Sequence, residues 1–418
     1  MIEKKDILYL RDLAKKQLEL SHLPVMDERK MLWKAHNSCR GVRPMIYVDL
    51  DTQCIEEIIP KPKCDGLAGQ IERQIVINLL KHDIIDDDTV MPEDFTIPWQ
   101  IKIDEFGITN TVKHARDDQG RSLGYAINYS FQTPGQTLGG LKPARCNVNR
   151  EGTVRYKQLV EGILGDILPV RVENSSIRWF LPLTYKILTL MSMENMLISI
   201  YDEPDQLSEL MDFLVDNTLQ VLCWEEEEGL LTLNNGNDYA GSGSLGFTNE
   251  LPQDDYQEGM NVRIKDIWIN TNSQETLGVS PAVFKEFFYP SYRKLAEMGG
   301  LVYYGCCEPV HNLWLDCLEN LPNLRKVSIS KWCDEEFMGE MLRGKRIIYC
   351  RKPDPNFIGV GRELDESAYK VHISKTLEAA KGCELEFSFR DIYTQGGNPN
   401  KFNHAIKILR KLINQMDG

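Results

Sequence analysis

Ser280–Pro309 reads SPAVFKEFFYPSYRKLAEM, then GG, then LVYY, then GCCEP, and this stretch decides the fold class. Ser280 supplies a helix cap, and Pro281 takes the first helical position, where its missing N–H costs nothing. The segment to Met298 therefore reads as a helix, kinked or interrupted at Pro290. Leu301–Tyr304 follows as a short apolar run, suited to a strand buried on both faces. Helix, glycine turn and buried strand form the repeating unit of a parallel α/β fold.

Working outward, the unit recurs. Strands are expected at Met45–Asp49 (MIYVD), Ile167–Val172 (ILPVRV), Leu230–Asn234 (LLTLN), Ile264–Ile269 (IKDIWI), Arg325–Ser330 (RKVSIS), Arg346–Cys350 (RIIYC) and Glu384–Phe389 (ELEFSF). Helices are expected at Asp205–Cys223, just after Pro204, and at Lys401–Met416. Alternation on this scale fits a (β/α)8 TIM barrel, a fold of roughly 250 residues. Residues 1–150 are less regular: helices at Lys5–Leu20 and Asp65–His82 flank the first strand, and His114–Gly124 (HARDDQGRSLG) reads as an exposed hairpin or lid loop. No Pro/Gly/Ser-rich linker divides them from the rest. The expectation is one barrel domain over 1–418, with 1–150 as an α-rich N-terminal extension.

At 418 residues and 42% hydrophobic, the chain can bury a large core. A net charge of −14 without a basic cluster argues against nucleic acid as a partner, because phosphate binding needs grouped Lys and Arg. The N-terminal sequence has no apolar core of a signal peptide, and no run approaches the ~18 apolar residues of a membrane span. The eleven cysteines are scattered and odd in number, as expected of free thiols in a reducing cytoplasm.

In a parallel barrel the site lies at the C-terminal ends of the strands. Gly305–Pro309 sits there, and Cys306, Cys307 and Glu308 could ligate zinc. Adjacent residues on extended chain point opposite ways, so the alternative is one core thiol, one pocket thiol and a hydrogen-bonded Glu308. The second candidate is Asn234–Tyr239 (NNGNDY) with the run Gly241–Gly246 (GSGSLG). Asn235 and Tyr239 offer hydrogen bonds to a polar ligand, and the glycines permit close approach; the alternative is a plain turn. Trp268, Asn270, Gln274 and Glu275 follow at the next strand, where an indole beside amides could hold a planar guest, or Trp268 could be core. Arg390 and Asp391 end the last strand, as a guanidinium for an anion or as a closing salt bridge. Arg43 before the first strand is either an anion-binding group or a surface charge.

RPMIYVDLD from Arg43, the run from Asn234 to Pro252, SQETLGVSP from Ser273, YYGCCEP from Tyr303, LPNLRKVSIS from Leu321 and RKPDPNFIG from Arg351 resemble the uroporphyrinogen decarboxylase-like superfamily, on the branch of corrinoid-dependent methyltransferases. The resemblance implies a (β/α)8 barrel with a deep pocket. It implies methyl transfer from a small methylated donor, such as a methoxyaromatic, to a separate corrinoid protein, since the chain has no corrinoid-binding motif of its own. A homodimer is compatible with it. That branch holds zinc with a His-x-Cys pair and a later Cys. Here Cys306 and Cys307 keep the first thiols, Tyr303 or Tyr304 stands where relatives place His, and Arg390 stands near the later Cys. Zinc would then rest on Cys306, Cys307, Glu308 and a carboxylate such as Glu275, with Glu308, Tyr304 and Arg390 as catalytic groups. Arg43, Asn235, Tyr239, Trp268, Asn270 and Gln274 would line the substrate. The motif whose arginine grips substrate in the decarboxylases is missing from CRGVRPMIYVD. Two competing readings remain: a metal-independent decarboxylase or lyase with Arg43 and Arg390 as carboxylate clamps, and a catalytically degenerate barrel that binds a tetrapyrrole or corrinoid protein.

Overall fold

In the computed structural model, residues 2–50, 58–108, 110–116, 122–174 and 181–416 are described. Their strands are β1 (Met45–Val48), β2 (Phe95–Pro98), β3 (Ile101–Asp104), β4 (Thr111–Arg116), β5 (Ser122–Asn128), β6 (Arg145–Val148), β7 (Val170–Glu173), β8 (Tyr239–Ala240), β9 (Ser244–Leu245), β10 (Trp268–Thr271), β11 (Leu301–Tyr304), β12 (Leu324–Ile329), β13 (Ile348–Arg351) and β14 (Glu384–Phe389). The fold is mixed α/β. Its centre is a six-stranded sheet in the order β1-β14-β13-β12-β11-β10, and every pairing in it is parallel.

Helices follow the strands and bury them. The interruption expected at Pro290 falls at Phe288, with Pro290 in the first turn of the second helix: Pro281–Phe287 and Tyr289–Met298 set Phe284, Phe288 and Tyr292 against the sheet. Pro204–Glu227, Glu335–Leu342, Glu366–Ala379 and Lys401–Met416 complete the same core. Lys4–Ser21, Gly66–Ile84 and Arg150–Leu164 build a second, smaller core with β2 and β7, so the N-terminal extension carries its own apolar cluster.

Three expected strands differ. Leu230–Asn234 forms no ladder; instead the Asn234 side chain brackets Trp268, accepting from its N–H at 2.8 Å and donating to its carbonyl at 3.0 Å. The amide side chain thus occupies the free edge of β10 where a neighbouring strand would pair. Ile264–Asp266 is a 3-10 turn because the Asp266 carboxylate accepts from Arg263 N–H, and β10 begins only at Trp268. The strand expected at Ile167–Val172 starts at Val170 and pairs with β2 outside the main sheet. β4 and β5 form the hairpin expected at His114–Gly124, whose tip at 117–121 lies outside the described residues.

The opposite edge is closed in the same way. On β1, Ile46 N–H donates to Asp88 Oδ2 at 2.8 Å and Val48 N–H to Asp87 Oδ2 at 2.9 Å. Asp88 also accepts from Arg43 at 2.8 Å and Arg410 at 2.8 Å, joining the first strand to the last helix. Burial opposes this carboxylate, yet the two guanidinium groups outweigh it and hold its pKa below the usual range. Asp88→Ala is expected to cost about 3 kcal/mol at neutral pH, since it leaves two cations unpaired. With the folded pKa depressed, this contribution is present above about pH 4 and is lost as acid protonates Asp88. Urea unfolding of both proteins at neutral and acid pH checks it; equal stability at neutral pH would overturn the assignment.

Candidate active site

The C-terminal ends of β11, β13 and β14 converge under the hairpin β8–β9. Two glycines make this approach possible. Gly241 lies at φ +67°, and a Cβ there would stand 1.8 Å from the Tyr303 ring, so only glycine lets the hairpin rest on that ring. Gly305, at φ +96°, turns the chain as it leaves β11, and the bend carries Cys306 and Cys307 into the mouth of the sheet.

Because the chain bends rather than extends, the two sulfurs do not point apart as adjacent residues on a strand would. Their Sγ atoms are 3.6 Å apart, and both residues are partly exposed. Lys352, at the end of β13, donates from Nζ to the Cys306 carbonyl at 2.9 Å and to the Ser242 hydroxyl. Arg390, just after β14, donates to the same hydroxyl at 2.5 Å. Asp391 Oδ2 lies 3.7 Å from Cys307 Sγ, on a residue at φ +62° that aspartate tolerates. The Cys306 pKa is lowered, first by the hydrogen bond from Cys307 and then, against burial, by Lys352, Arg390 and Ser242. Cys307 is raised by that same bond, then by burial, and keeps its proton. For Arg390, burial works against the charge, and Tyr239, Cys306, Asp49 and Asp391 outweigh it.

Glu308 is buried and braces this loop. Its carboxylate accepts from Cys306 N–H at 2.9 Å and from Ser273 N–H at 3.0 Å, which fixes the thiol loop against the segment after β10. Burial and then the neighbouring Cys306 push its pKa up. Both oxygens are thus engaged with backbone. Tyr304 is on the helix side of β11: its hydroxyl lies 2.6 Å from Ser273 Oγ, and its ring meets Tyr292 edge-on at 6.0 Å. Strand alternation leaves Tyr303, not Tyr304, on the inner face, where its hydroxyl donates to Cys350 Sγ at 2.8 Å.

The other expected residues scatter. Glu275 accepts from Thr184 Oγ1 at 2.7 Å, beside Tyr292 rather than the thiols. Asn235 holds the Leu251 carbonyl at 2.7 Å, and Trp268 is buried with its indole N–H on the Gly246 carbonyl at 2.9 Å. Asn270 is buried on β10, and Gln274 belongs to the 3-10 turn Gln274–Thr276. Arg43 is engaged with Asp88 before β1, whereas Arg390 follows the neighbouring parallel strand β14, so the two lie at opposite strand ends. Tyr239 stays at the site, donating to Asp49 Oδ2 at 2.9 Å. It also lines a cavity of about 530 Å³ that reaches Tyr47, Lys81, Arg73, Arg171 and Asn237.

Lys352 is not among the expected site residues, and Ser242 is included only as part of the run Gly241–Gly246, without a role of its own. The strand-end rule, applied to Arg346–Cys350, points toward Lys352, whereas Ser242 is placed only by the hairpin folding over β11. The zinc set implied by the resemblance does not assemble: among the described residues, no group of three His, Cys, Asp or Glu side chains is arranged to hold a metal ion. Two thiols converge, but Glu308 and Glu275 are committed elsewhere, so no chemical step is assigned to zinc.

No protein-family model matches the chain, and no curated protein does. Among solved structures, a methyltransferase from Methanosarcina mazei is similar over 93% of this chain and 98% of that chain, at 11% identity and a TM-score of 0.47. Among the described residues, no helix is long and apolar enough to cross a membrane.

Cys306 is expected to alkylate with iodoacetamide at about pH 6, well below the ordinary thiol range near 8.5. Cys223 is the internal control: it is more exposed, but burial and the neighbouring Glu226 and Glu227 raise its pKa. Lys352→Met should move the Cys306 profile upward by about one pH unit. Peptide mass mapping across pH reads both; coincident profiles for Cys306 and Cys223 would remove the cation cradle from the argument.

Proposed function

We propose that the chain is a methyltransferase that takes a methyl group from a small donor at the Cys306–Cys307 site and passes it to a separate corrinoid protein. The observation that carries this reading is the paired thiols at the mouth of a parallel sheet, one favoured as thiolate first by the hydrogen bond from Cys307 and then by Lys352 and Arg390. A thiolate is the form that attacks carbon, and the surroundings of Cys306 favour it without a resident base. In the proposed step Cys306 Sγ displaces the methyl carbon from its donor oxygen. The carbon–sulfur bond forms as the carbon–oxygen bond breaks, and the leaving oxygen takes the proton held on Cys307. Lys352 and Arg390 stand beside the attacking sulfur, where their charge favours its thiolate form. A corrinoid on a partner protein would be the final methyl acceptor.

One further feature supports the reading. Leu277, Leu315, Trp332, Val360 and Tyr393 are exposed apolar side chains on the segments that follow β10 to β14. A rim of this kind suits a docking protein. In this reading the six-stranded sheet, β2 and β7 belong to one closed (β/α)8 barrel. The carboxylate-clamp lyase loses one of its two clamps, because Arg43 is taken by Asp88.

The test supplies the purified full chain with methoxyaromatics, methylamines or methyl thioethers, with reduced free corrinoid as acceptor, and follows demethylated product by chromatography. Turnover of one donor class is expected, with Cys306→Ser slower by at least about 100-fold. Undiminished turnover in Cys306→Ser overturns the thiol's role, and no product from any donor with the wild type overturns methyl transfer.

A further inference from the structure

We propose that Cys306 and Cys307 are a reversible oxidation site, which a peroxide converts into a disulfide between the adjacent residues. Several observations point there together. The sulfurs are already 3.6 Å apart, so bonding needs rotation of the two side chains and a twist of the one peptide between them, not movement of two distant segments. Both residues are partly exposed, whereas Cys350 and Cys333 nearby are buried. Lys352 and Arg390 stand on the Cys306 side and Asp391 on the Cys307 side, so the two thiols are electrically unlike. Gly305, at φ +96°, immediately precedes the pair and bends the chain so that both side chains face the same mouth of the sheet.

The chemistry balances with the peroxide as the sole added reactant. The Cys306 sulfur attacks one peroxide oxygen; the sulfur–oxygen bond forms, the oxygen–oxygen bond breaks, and hydroxide leaves to take a proton as water. The Cys307 sulfur then attacks the Cys306 sulfur. The sulfur–sulfur bond forms, the sulfur–oxygen bond breaks, and a second water departs with the Cys307 proton. Sulfur is oxidised, and peroxide oxygen is reduced to water. A disulfide in so small a ring is strained and exposed, the kind that a dithiol reduces readily. The inference does not rest on methyl transfer, because its mark is covalent; only its consequence, a Cys306 unable to attack carbon while oxidised, depends on that reading.

The experiment treats the full chain with a modest excess of hydrogen peroxide, blocks remaining thiols with N-ethylmaleimide, and weighs the peptide that contains both cysteines. The expected product is unlabelled, lighter by two hydrogens, and labelled at both positions after dithiothreitol. In Cys307→Ser, Cys306 should stop at the sulfenic acid and become trapped by dimedone. In Cys306→Ser, oxidation of Cys307 should slow by at least about tenfold. Full labelling of both cysteines in the wild type while exposed Cys223 is oxidised would overturn the proposal, as would a disulfide joining two chains or a product of Cys307→Ser identical to the wild type. If Cys307→Ser loses its circular dichroism spectrum, the wild-type peptide masses alone decide.

Discussion

A parallel sheet whose edge backbone is buried must satisfy that backbone somehow, and here side chains close both edges. Asp87 and Asp88 accept the N–H groups of β1, and the Asn234 amide answers both the donor and the acceptor of Trp268 on β10. The two closures are not equivalent. Asp88 is charged and draws in Arg43 and Arg410, so that edge ties the N-terminal segment to the last helix. Asn234 is neutral, and it starts the loop that becomes the β8–β9 hairpin. Positioning of the hairpin, and with it Ser242 over Cys306, follows from this edge contact.

Beneath the hairpin lies a second constraint. Lys326 is fully buried on β12 between the rings of Trp33 and Trp268, at 5.5 and 5.6 Å from their centroids, and pairs with Glu386 at 2.9 Å. His36 reaches the same carboxylate at 3.1 Å, and Ser244 of the hairpin at 3.0 Å. Burial works against the Glu386 charge, but Lys326 and His36 outweigh it and hold its pKa low. An ion pair this deep is costly to assemble and more costly to half-remove, so its use is to fix one arrangement. It pins the hairpin through Ser244, while Lys352 and Arg390 hold it through Ser242. The thiol loop is therefore framed by fixed polar contacts on a rigid sheet, which is what a reactive site needs.

Much of this organisation is legible in the sequence because it is local. Pro281 behind Ser280, the Gly-Gly break and the run LVYY place a helix and a buried strand with boundaries close to those found. The strand-end rule then picks out Cys306, Cys307 and Arg390 directly. Failures arise where a side chain replaces a backbone partner: Leu230–Asn234 has the composition of a strand, but Asn234 pairs through its amide. Tyr304 is misjudged because a one-residue step along a strand exchanges the inner face for the outer one.

By itself the sequence determined the parallel α/β class, the helix breaks and the two adjacent thiols at a strand end, since these depend on periodicity, capping and chain order. Tertiary structure alone decided that the sulfurs face each other, that Lys352 and Ser242 join them, and that Arg43 and Glu275 do not. Those outcomes depend on a left-handed turn at Gly305 and on contacts between residues far apart in the chain, such as Ser242 with Arg390. Neither is encoded in spacing, because a turn's handedness and a long-range contact exist only once the sheet has closed its edges.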